Sequence, residues 1–365
     1  MSARRAEGQT PATLGFRMPA EWERHAATWL AWPHNARDWP GKFGAIPWAF
    51  AEIARAVARS ERVRVIVKDT AHQAAAQRAL GNAGAPLAEV DFLRAATDRG
   101  WTRDMGPIFL VREAGGGREV AATSWRFKGW AKYANFRRDD AAKDRLLAKL
   151  GLRTWQPAVD GRRVVLEGGA IEGNGEGTLL VTEECLLSPI QERNPGLTRE
   201  GYEEVFKKYL GIRHTIWLGE GCVGDDTHGH IDDVARFVNR DTIVLAVEDD
   251  PADENHERSI DNVRRLELAA AATGIGPLNV VRLPFPRPVF MQGERLPASY
   301  ANFYIANGIV VVPTFNDASD RVALNTLAGL FPDRRVIGIH AVDLVWGLGT
   351  LHCLTQQQPA GRAGA

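Results

Sequence analysis

The sequence predicts an α/β protein assembled from internal repeats. Short apolar strands alternate with helices along the whole chain, and a strand-rich unit with one helix recurs at a spacing of about seventy residues, the signature of a repeat architecture. Neither GxGxxG after an early strand nor GxxxxGK[ST] occurs, so a doubly wound nucleotide-binding sheet has no motif support.

The elements follow from hydrophobic period and punctuation. An apolar segment, Ala26 to Trp32, runs into Pro33. Pro47 to Ser60 has apolar residues at helical spacing, and Pro47 suits a first helical turn, where a missing N–H costs no bond. Strand Val63 to Lys68, helix Thr70 to Leu80 and strands Val90 to Leu93, Pro107 to Val111 and Val120 to Arg126 follow, then helix Asp139 to Leu150. Strands Val164 to Leu166 and Thr178 to Thr182, helix Thr198 to Leu210 and strand His214 to Leu218 repeat the pattern. Val234 to Val238 and Thr242 to Val247 read as a hairpin around Asn239-Arg240-Asp241. Next come helix Ala252 to Thr273 and strands Val280 to Leu283, Ala301 to Ala306 and Ile309 to Pro313. Helix Ala318 to Leu330 and strand Arg335 to Ile339 close the series. The polar or small residues at both tips, 1–15 and 360–365, are expected to be loose around one large domain, 16–359.

Composition narrows the partners. Lysine plus arginine total 45 against 45 aspartate plus glutamate, so no electrostatic case exists for nucleic acid or an anionic membrane. No apolar run could span a bilayer and no secretory signal opens the chain, which reads as cytoplasmic. A homo-oligomer is compatible with the sequence. The three cysteines, Cys185, Cys222 and Cys353, lack CxxC spacing or disulfide density, so reduced thiols and a small-molecule substrate are expected.

Four stretches combine polar side chains with Gly and Pro punctuation: Trp101 to Pro107, Glu167-Gly168-Gly169, Asp225 to Asp233, and Gly347 to Gln357. Cys353 follows two glycines, which leave room for a ligand, and a thiolate readily attacks electrophilic carbon; a lone cysteine is also common core filling. In the third stretch, strand geometry would place His228, His230 and Asp232 on one face. That face fits a metal site, a histidine serving Cys353 as acid and base, or a polar turn, and the residues alone do not choose among them. Asp104 and Glu167 could bind a planar guanidinium, whose donor forks match carboxylates bidentately, or could be an ion pair and a strand end. Cys185 and Cys222 have no partner motif and are expected to be inert.

Taken together, the segments FRMPAEWE (Phe16 to Glu23), WTRDMGPIF (Trp101 to Phe109), SWRFKGWAKY (Ser124 to Tyr133), LEGGAIEGNGEGTLLVTEECLL (Leu166 to Leu187), DDTHGHIDDVARF (Asp225 to Phe237), ASYANFYIANGIVVVP (Ala298 to Pro313) and GLGTLHCLTQQQP (Gly347 to Pro359) resemble the agmatine deiminase family. The resemblance runs from about Phe16 to Pro359 in the same order. It implies a pentein fold, a propeller of about five ββαβ units around a central channel. It also implies hydrolysis of the guanidinium of agmatine to N-carbamoylputrescine and ammonia, without cofactor or metal. Carried over by motif, Cys353 matches the nucleophile, His230 the general acid and base, Asp104 and Asp232 the guanidinium ligands, and Glu167 the carboxylate supporting the histidine. Asp226 is a further substrate carboxylate or a loop-fixing residue, Trp101 a channel lining or a packing residue, and His352 a support that points away if its segment is extended. Leu348 and Thr350 depart from the family's GGGN lead to the cysteine, and Ala170 and Glu172 from the residues frequent after EGG. These departures bear on pocket shape and substrate preference. A deiminase of free or peptidyl arginine, an amidinotransferase and a non-catalytic pentein are the alternatives; the last would lack the thiol constellation.

Overall fold

The computed structural model describes residues 9–272 and 277–364. Among them the order strand, antiparallel strand, helix, parallel strand occurs five times. The first unit holds β1 (His25–Ala31), α1 (Ile46–Val57) and β2 (Arg62–Val67), with β1 and β2 parallel. Pro47 lies in the first turn of α1, and Phe50, Ile53, Ala54 and Val57 form its buried stripe at i, i+3, i+4 and i+7. Helix α2 (Thr70–Asn82), capped by the Asp69 carboxylate, leads to β3 (Val90–Arg94) on the far side of β2.

After the helical turn α3 (Thr102–Met105), the second unit runs β4 (Ile108–Ala114), β5 (Gly117–Thr123), α4 (Arg137–Leu150) and β6 (Thr154–Trp155). A ribbon, β7 (Ala158–Val159) with β8 (Arg162–Arg163), precedes the third: β9 (Glu172–Gly173), β10 (Thr178–Thr182), a short α5 (Glu183–Leu187), α6 (Arg199–Leu210) and β11 (His214–Leu218). The fourth is β12 (Ala235–Phe237), β13 (Thr242–Val247), α7 (Asn255–Ala272) and β14 (Asn279–Pro284). Past a second ribbon, β15 (Phe290–Met291) with β16 (Glu294–Arg295), come β17 (Tyr304–Ile305), β18 (Ile309–Thr314), α8 (Ser319–Leu330) and β19 (Arg335–His340). Two helical turns, α9 (Val342–Val345) and α10 (Leu351–Leu354), then deliver β20 (Thr355–Pro359) antiparallel to β1, so the C-terminal strand completes the N-terminal unit.

Several expectations need correction. Val164 to Leu166 is not a strand: the Val164 amide bonds to Pro157 and that of Leu166 to Arg126, leaving one isolated bridge as the chain turns toward Gly168. Ala301 to Ala306 shortens to β17, β5 stops at Thr123, and Thr273 lies outside the described residues. The tips are docked where they are described. β21 (Arg362–Ala363) adds in parallel to β5, with the Arg362 guanidinium on the Ala114 carbonyl and Glu119. Near the N-terminus, Ala12–Leu14 form a 3-10 turn and the Gln9 carbonyl accepts from the Trp155 indole at 3.1 Å. Residues 1–8 and Ala365 lie outside the described part.

The repeat has one consequence for chemistry. The segment just before the first strand of each unit turns inward: Asp104 precedes β4, Glu167 precedes β9, His230 and Asp232 precede β12, Asn302 precedes β17 and Cys353 precedes β20. All six are buried.

Candidate active site

Cys353 sits on α10 between an amide and a carboxylate. Asn302 Nδ2 donates to its Sγ at 3.1 Å, and the thiol faces Asp232 Oδ2 at 3.5 Å. The Asn302 side-chain oxygen accepts from Thr350 Oγ1 at 2.8 Å and from the His352 amide at 3.0 Å, so one asparagine fixes both the sulfur and its turn. Gly349 is required by contact: a Cβ there would lie 2.8 Å from Trp101 Cζ3 and 3.2 Å from Sγ. Burial, with Asp232, Asp233 and Asp104, pushes the Cys353 thiol well above its ordinary value, so the unliganded protein holds it protonated.

Opposite the thiol, Asp104 accepts from the Gly169 amide at 2.9 Å on Oδ1 and from the Trp130 indole at 2.8 Å on Oδ2. A Cβ on Gly169 would approach His230 Nδ1 to 2.6 Å and Asp104 Oδ1 to 2.8 Å, which explains a glycine where three reactive groups converge. Trp130 reaches Asp104 from a segment in which it and Ala131 adopt left-handed backbones, φ 55° and 54°. Such a conformation costs about 1 kcal/mol or more per non-glycine residue and persists where surroundings impose it, often at functional sites. Burial raises Asp104 to about 6, helped by Asp232 and Glu167 and opposed by His230.

His230 lies between two carboxylates, Nδ1 at 3.7 Å from Asp104 Oδ1 and Nε2 at 3.8 Å from Glu167 Oε2. Both ring nitrogens are buried and, among the described residues, neither makes a hydrogen bond, although each faces a carboxylate. Burial opposes the imidazolium, but Asp104, Glu167 and Cys185 outweigh it and raise His230 well above its ordinary value. Burial likewise opposes ionisation of Glu167, and Arg193, with Nε at 3.3 Å from Oε2, overcomes it and lowers Glu167. Arg193 is in turn anchored on the Gln191 and Thr227 carbonyls.

Asp232 is held through its neighbour's neighbour. His352 Nδ1 lies 2.7 Å from Asp232 Oδ2, and His352 Nε2 lies 2.8 Å from Glu21 Oε2. Glu21 also accepts from Arg236 Nη2 at 2.9 Å, Arg103 Nη2 at 3.2 Å and the Ile305 amide at 2.8 Å. Through Glu21 the N-terminal segment thus ties together the turn that carries Asp104, the edge of β12 and the cysteine turn. Burial raises Asp232, yet the His352 hydrogen bond and charge win and lower it. Its Oδ1 is buried and unpartnered, the expected state of an acceptor that awaits a donor.

The sequence expectations divide accordingly. Cys353, His230, Glu167, Asp104 and Asp232 converge, with Trp101 packed between Trp39 and the cysteine turn. His228 does not share their face: its backbone is left-handed, φ 67°, and its ring bonds to Ser188 and lies near Glu184, because the segment is a loop leading into a 3-10 turn and not a strand. The H-x-H-x-D metal arrangement therefore does not form. His352 is helical, not extended, and turns onto Asp232. Cys185, expected to be inert, lies with Glu167 and His230, their ligand atoms within 4.8 Å of one another. Asp226 stands farther out, accepting from Tyr133 Oη at 2.5 Å and pairing with Lys132 at 3.3 Å. Asn302, Glu21 and Arg193 were not singled out in the sequence. The repeat offers a signal for Asn302, since the segment before β17 occupies the position that supplies a site residue in every other unit.

A chamber lined by Trp101, Asp104, Trp130 and Cys353 opens outward past Arg99, Tyr133, Asp226 and Leu348 into a cleft of about 710 Å³. Carboxylates facing one another across a thiol and a histidine can bind a planar cation, offer its carbon a nucleophile and exchange protons with it.

Comparison with known proteins agrees with this chemistry. The model of the Porphyromonas-type peptidyl-arginine deiminase family matches residues 17–359. An agmatine deiminase of Ectopseudomonas mendocina is 36% identical over 374 residues, 96% of this chain and 97% of that protein. Among solved structures, the agmatine deiminase of Enterococcus faecalis matches with a TM-score of 0.86 and 31% identity, covering 98% of this chain and 99% of that one. A substrate-bound C. jejuni agmatine deiminase matches with a TM-score of 0.83 and 27% identity over 95% of this chain and 97% of that one. The chain belongs to the Porphyromonas-type peptidyl-arginine deiminase family and is a homologue of the agmatine deiminases.

Proposed function

We propose that the protein is an agmatine deiminase, a hydrolase of the carbon–nitrogen bond of a linear guanidine, working in the cytoplasm without metal or cofactor on a five-bladed arrangement of its ββαβ units. The observation that carries this reading is the buried pair of facing carboxylates, Asp104 and Asp232, with Oδ1 of Asp232 unpartnered and the Cys353 thiol 3.5 Å from Oδ2. A guanidinium there satisfies the free acceptor and offsets the negative charge that holds the thiol protonated.

The reaction then follows from position. The guanidinium binds between Asp104 and Asp232 with its carbon over Sγ. Its charge, with that of protonated His230, favours the thiolate, and the thiol proton leaves along the contact to Asp232. Sulfur adds to carbon to give a neutral tetrahedral adduct. His230 protonates the departing nitrogen, ammonia leaves, and an amidino-thioether cation remains on Cys353. The neutral imidazole, oriented by Glu167, takes a proton from water as its oxygen attacks. Collapse breaks the carbon–sulfur bond as the hydroxyl proton passes to sulfur and N-carbamoylputrescine is released; the proton first shed by the thiol leaves Asp232 for solvent, where it converts the ammonia to ammonium and restores the carboxylate. Trp101 and Trp130 border the alkyl chain, and Asp226 receives the far ammonium.

Free or peptidyl arginine is the second reading, favoured by the description of the matching family. Ammonia release measured on agmatine, arginine and an arginyl peptide separates the two; agmatine alone should be turned over efficiently. Mass spectrometry of the intact protein during turnover should find an adduct that Cys353→Ala lacks, and full turnover by Cys353→Ala sinks the covalent route.

A further inference from the structure

We infer that Cys185, His230 and Glu167 form a binding site for one thiophilic divalent ion of the zinc class, and that an ion held there stops the enzyme by occupying its acid and base. The site stands on its own geometry, whereas its effect on turnover rests on the proposed role of His230.

The three ligand atoms lie within 4.8 Å of one another, and all three residues are buried. Sulfur, imidazole nitrogen and carboxylate oxygen together select zinc and its softer relatives over magnesium or calcium, which take oxygen ligands. Three protein ligands leave the fourth tetrahedral position to water. His230 Nε2 and Glu167 Oε2 are 3.8 Å apart. Bonds of about 2.0–2.2 Å to a tetrahedral ion place two such atoms about 3.4 Å apart, so closure asks for a shift of roughly 0.4 Å. Among the described residues Nε2 makes no hydrogen bond, so an ion displaces no partner from it.

The surroundings suit an ion as well. Thr182 caps α5: its Oγ1 accepts from the Cys185 amide at 3.1 Å and donates to the Gly229 carbonyl, so one hydroxyl ties the turn of the thiol to the residue before His230. A metal-bound histidine usually gives its other N–H to a carboxylate, which fixes the ring and its tautomer, and Asp104 Oδ1 stands 3.7 Å from Nδ1 in that position. A divalent ion that replaces one proton on the thiol and one on the imidazolium leaves the charge of the buried cluster unchanged. Arg193 therefore keeps its place, anchored on the Gln191 and Thr227 carbonyls and no closer to Glu167 than 3.3 Å. With the metal on Nε2 and the remaining proton on Nδ1, the ring has no lone pair left to take a proton from water.

The test has to separate this site from the other buried group of a thiol and carboxylates, Cys353 with Asp232 and Asp233. Cadmium stands in for zinc, reports thiolate ligation by an ultraviolet charge-transfer band and needs no turnover. Titrated into Cys353→Ala protein, it should raise that band to saturation at one ion per chain, and adding Cys185→Ala should abolish it; Cys222 remains in both proteins as the control thiol. Should the double variant not fold, Cys185→Ser, which keeps the size but ligates poorly, takes the place of Cys185→Ala. In protein that retains Cys353, zinc should inhibit agmatine turnover and a chelator should restore it. Cys185→Ser should raise the half-inhibiting zinc concentration by roughly tenfold or more, each protein being compared with its own activity without the ion. A band already missing from Cys353→Ala protein, or retained when Cys185 is removed as well, overturns the site. A zinc sensitivity unchanged by Cys185→Ser overturns the inhibitory effect. A cadmium band that depends on Cys185 in a protein that never turns over agmatine upholds the site and overturns the proposed function.

Discussion

The floor of the site and its neck are built differently. On the floor, each carboxylate is tied to a buried partner: Asp104 to the Gly169 amide and the Trp130 indole, Glu167 to Arg193, and Asp232 to His352, which in turn meets Glu21. At the neck, where the chamber opens into the cleft past Arg99, Tyr133, Asp226 and Leu348, Asp226 is paired with Lys132, whose side chain is 41% exposed. Buried charges paired in fixed geometry keep their orientation while a substrate reacts, whereas a carboxylate whose only cationic partner stands partly in solvent can exchange that partner more readily. The floor is therefore suited to chemistry and the neck to exchange, so floor variants should lower kcat and neck variants should raise KM.

The largest effect should come from His230→Ala. Loss of a positioned acid and base costs on the order of 10²–10⁴-fold, and here the same ring serves both the departure of ammonia and the attack of water. The amidino-thioether should accumulate in rapid-quench mass spectra if its breakdown is the slower step; a kcat within threefold of the parent refutes the assignment. Glu21→Gln should follow. It keeps the size of the side chain but removes the charge that gathers His352, Arg103 and Arg236, and a small displacement of Asp232 can cost roughly 10²-fold in kcat/KM. If Glu21 acts through His352, the double variant Glu21→Gln/His352→Gln should be no worse than His352→Gln alone; multiplied losses would separate the two residues.

A pH profile reads the floor without mutation. Asp104 is raised to about 6, and its carboxylate must be ionised to hold a guanidinium. Because protonation removes the active form, kcat/KM should fall as pH drops through about 6, approaching tenfold per unit below it, while saturating agmatine should shift the limb downward because the cation favours the ionised acid. A profile flat to pH 5 would show that Asp104 is not required ionised.

How much of this was legible in the sequence depended on whether a local pattern specified it. The strands Thr178 to Thr182 and His214 to Leu218 and the hairpin around Asn239-Arg240-Asp241 read directly, since apolar runs bounded by turn residues need no tertiary help. Val164 to Leu166 misled because its apolar residues are buried by packing in the core around Trp125 and not by pairing in a sheet. Cys353, His230 and Asp232 stood out by residue type and spacing. Glu21, Arg193 and Asn302 did not, since their roles exist only across contacts of 331, 26 and 51 residues. The strand reading of His228 failed because Gly229 at φ 87° and the left-handed His228 itself break the alternation that would have aligned it with His230.

The smallest predicted effect tests the neck. Asp226 is raised by burial and by Asp225, with the Tyr133 hydroxyl and Lys132 acting in the opposite direction. A carboxylate held by one phenol and one exposed ammonium can exchange Lys132 for the ammonium of a substrate without a net change of charge. Asp226→Asn keeps the shape and the bond to Tyr133 but removes the attraction. Its agmatine KM should rise roughly tenfold with kcat within about twofold, since the far ammonium contributes equally to ground and transition states. Lys132→Gln removes the competitor and should act oppositely, lowering KM. If Asp226→Asn instead lowers kcat at unchanged KM, the carboxylate belongs to the reacting floor, and the division between the two regions fails there.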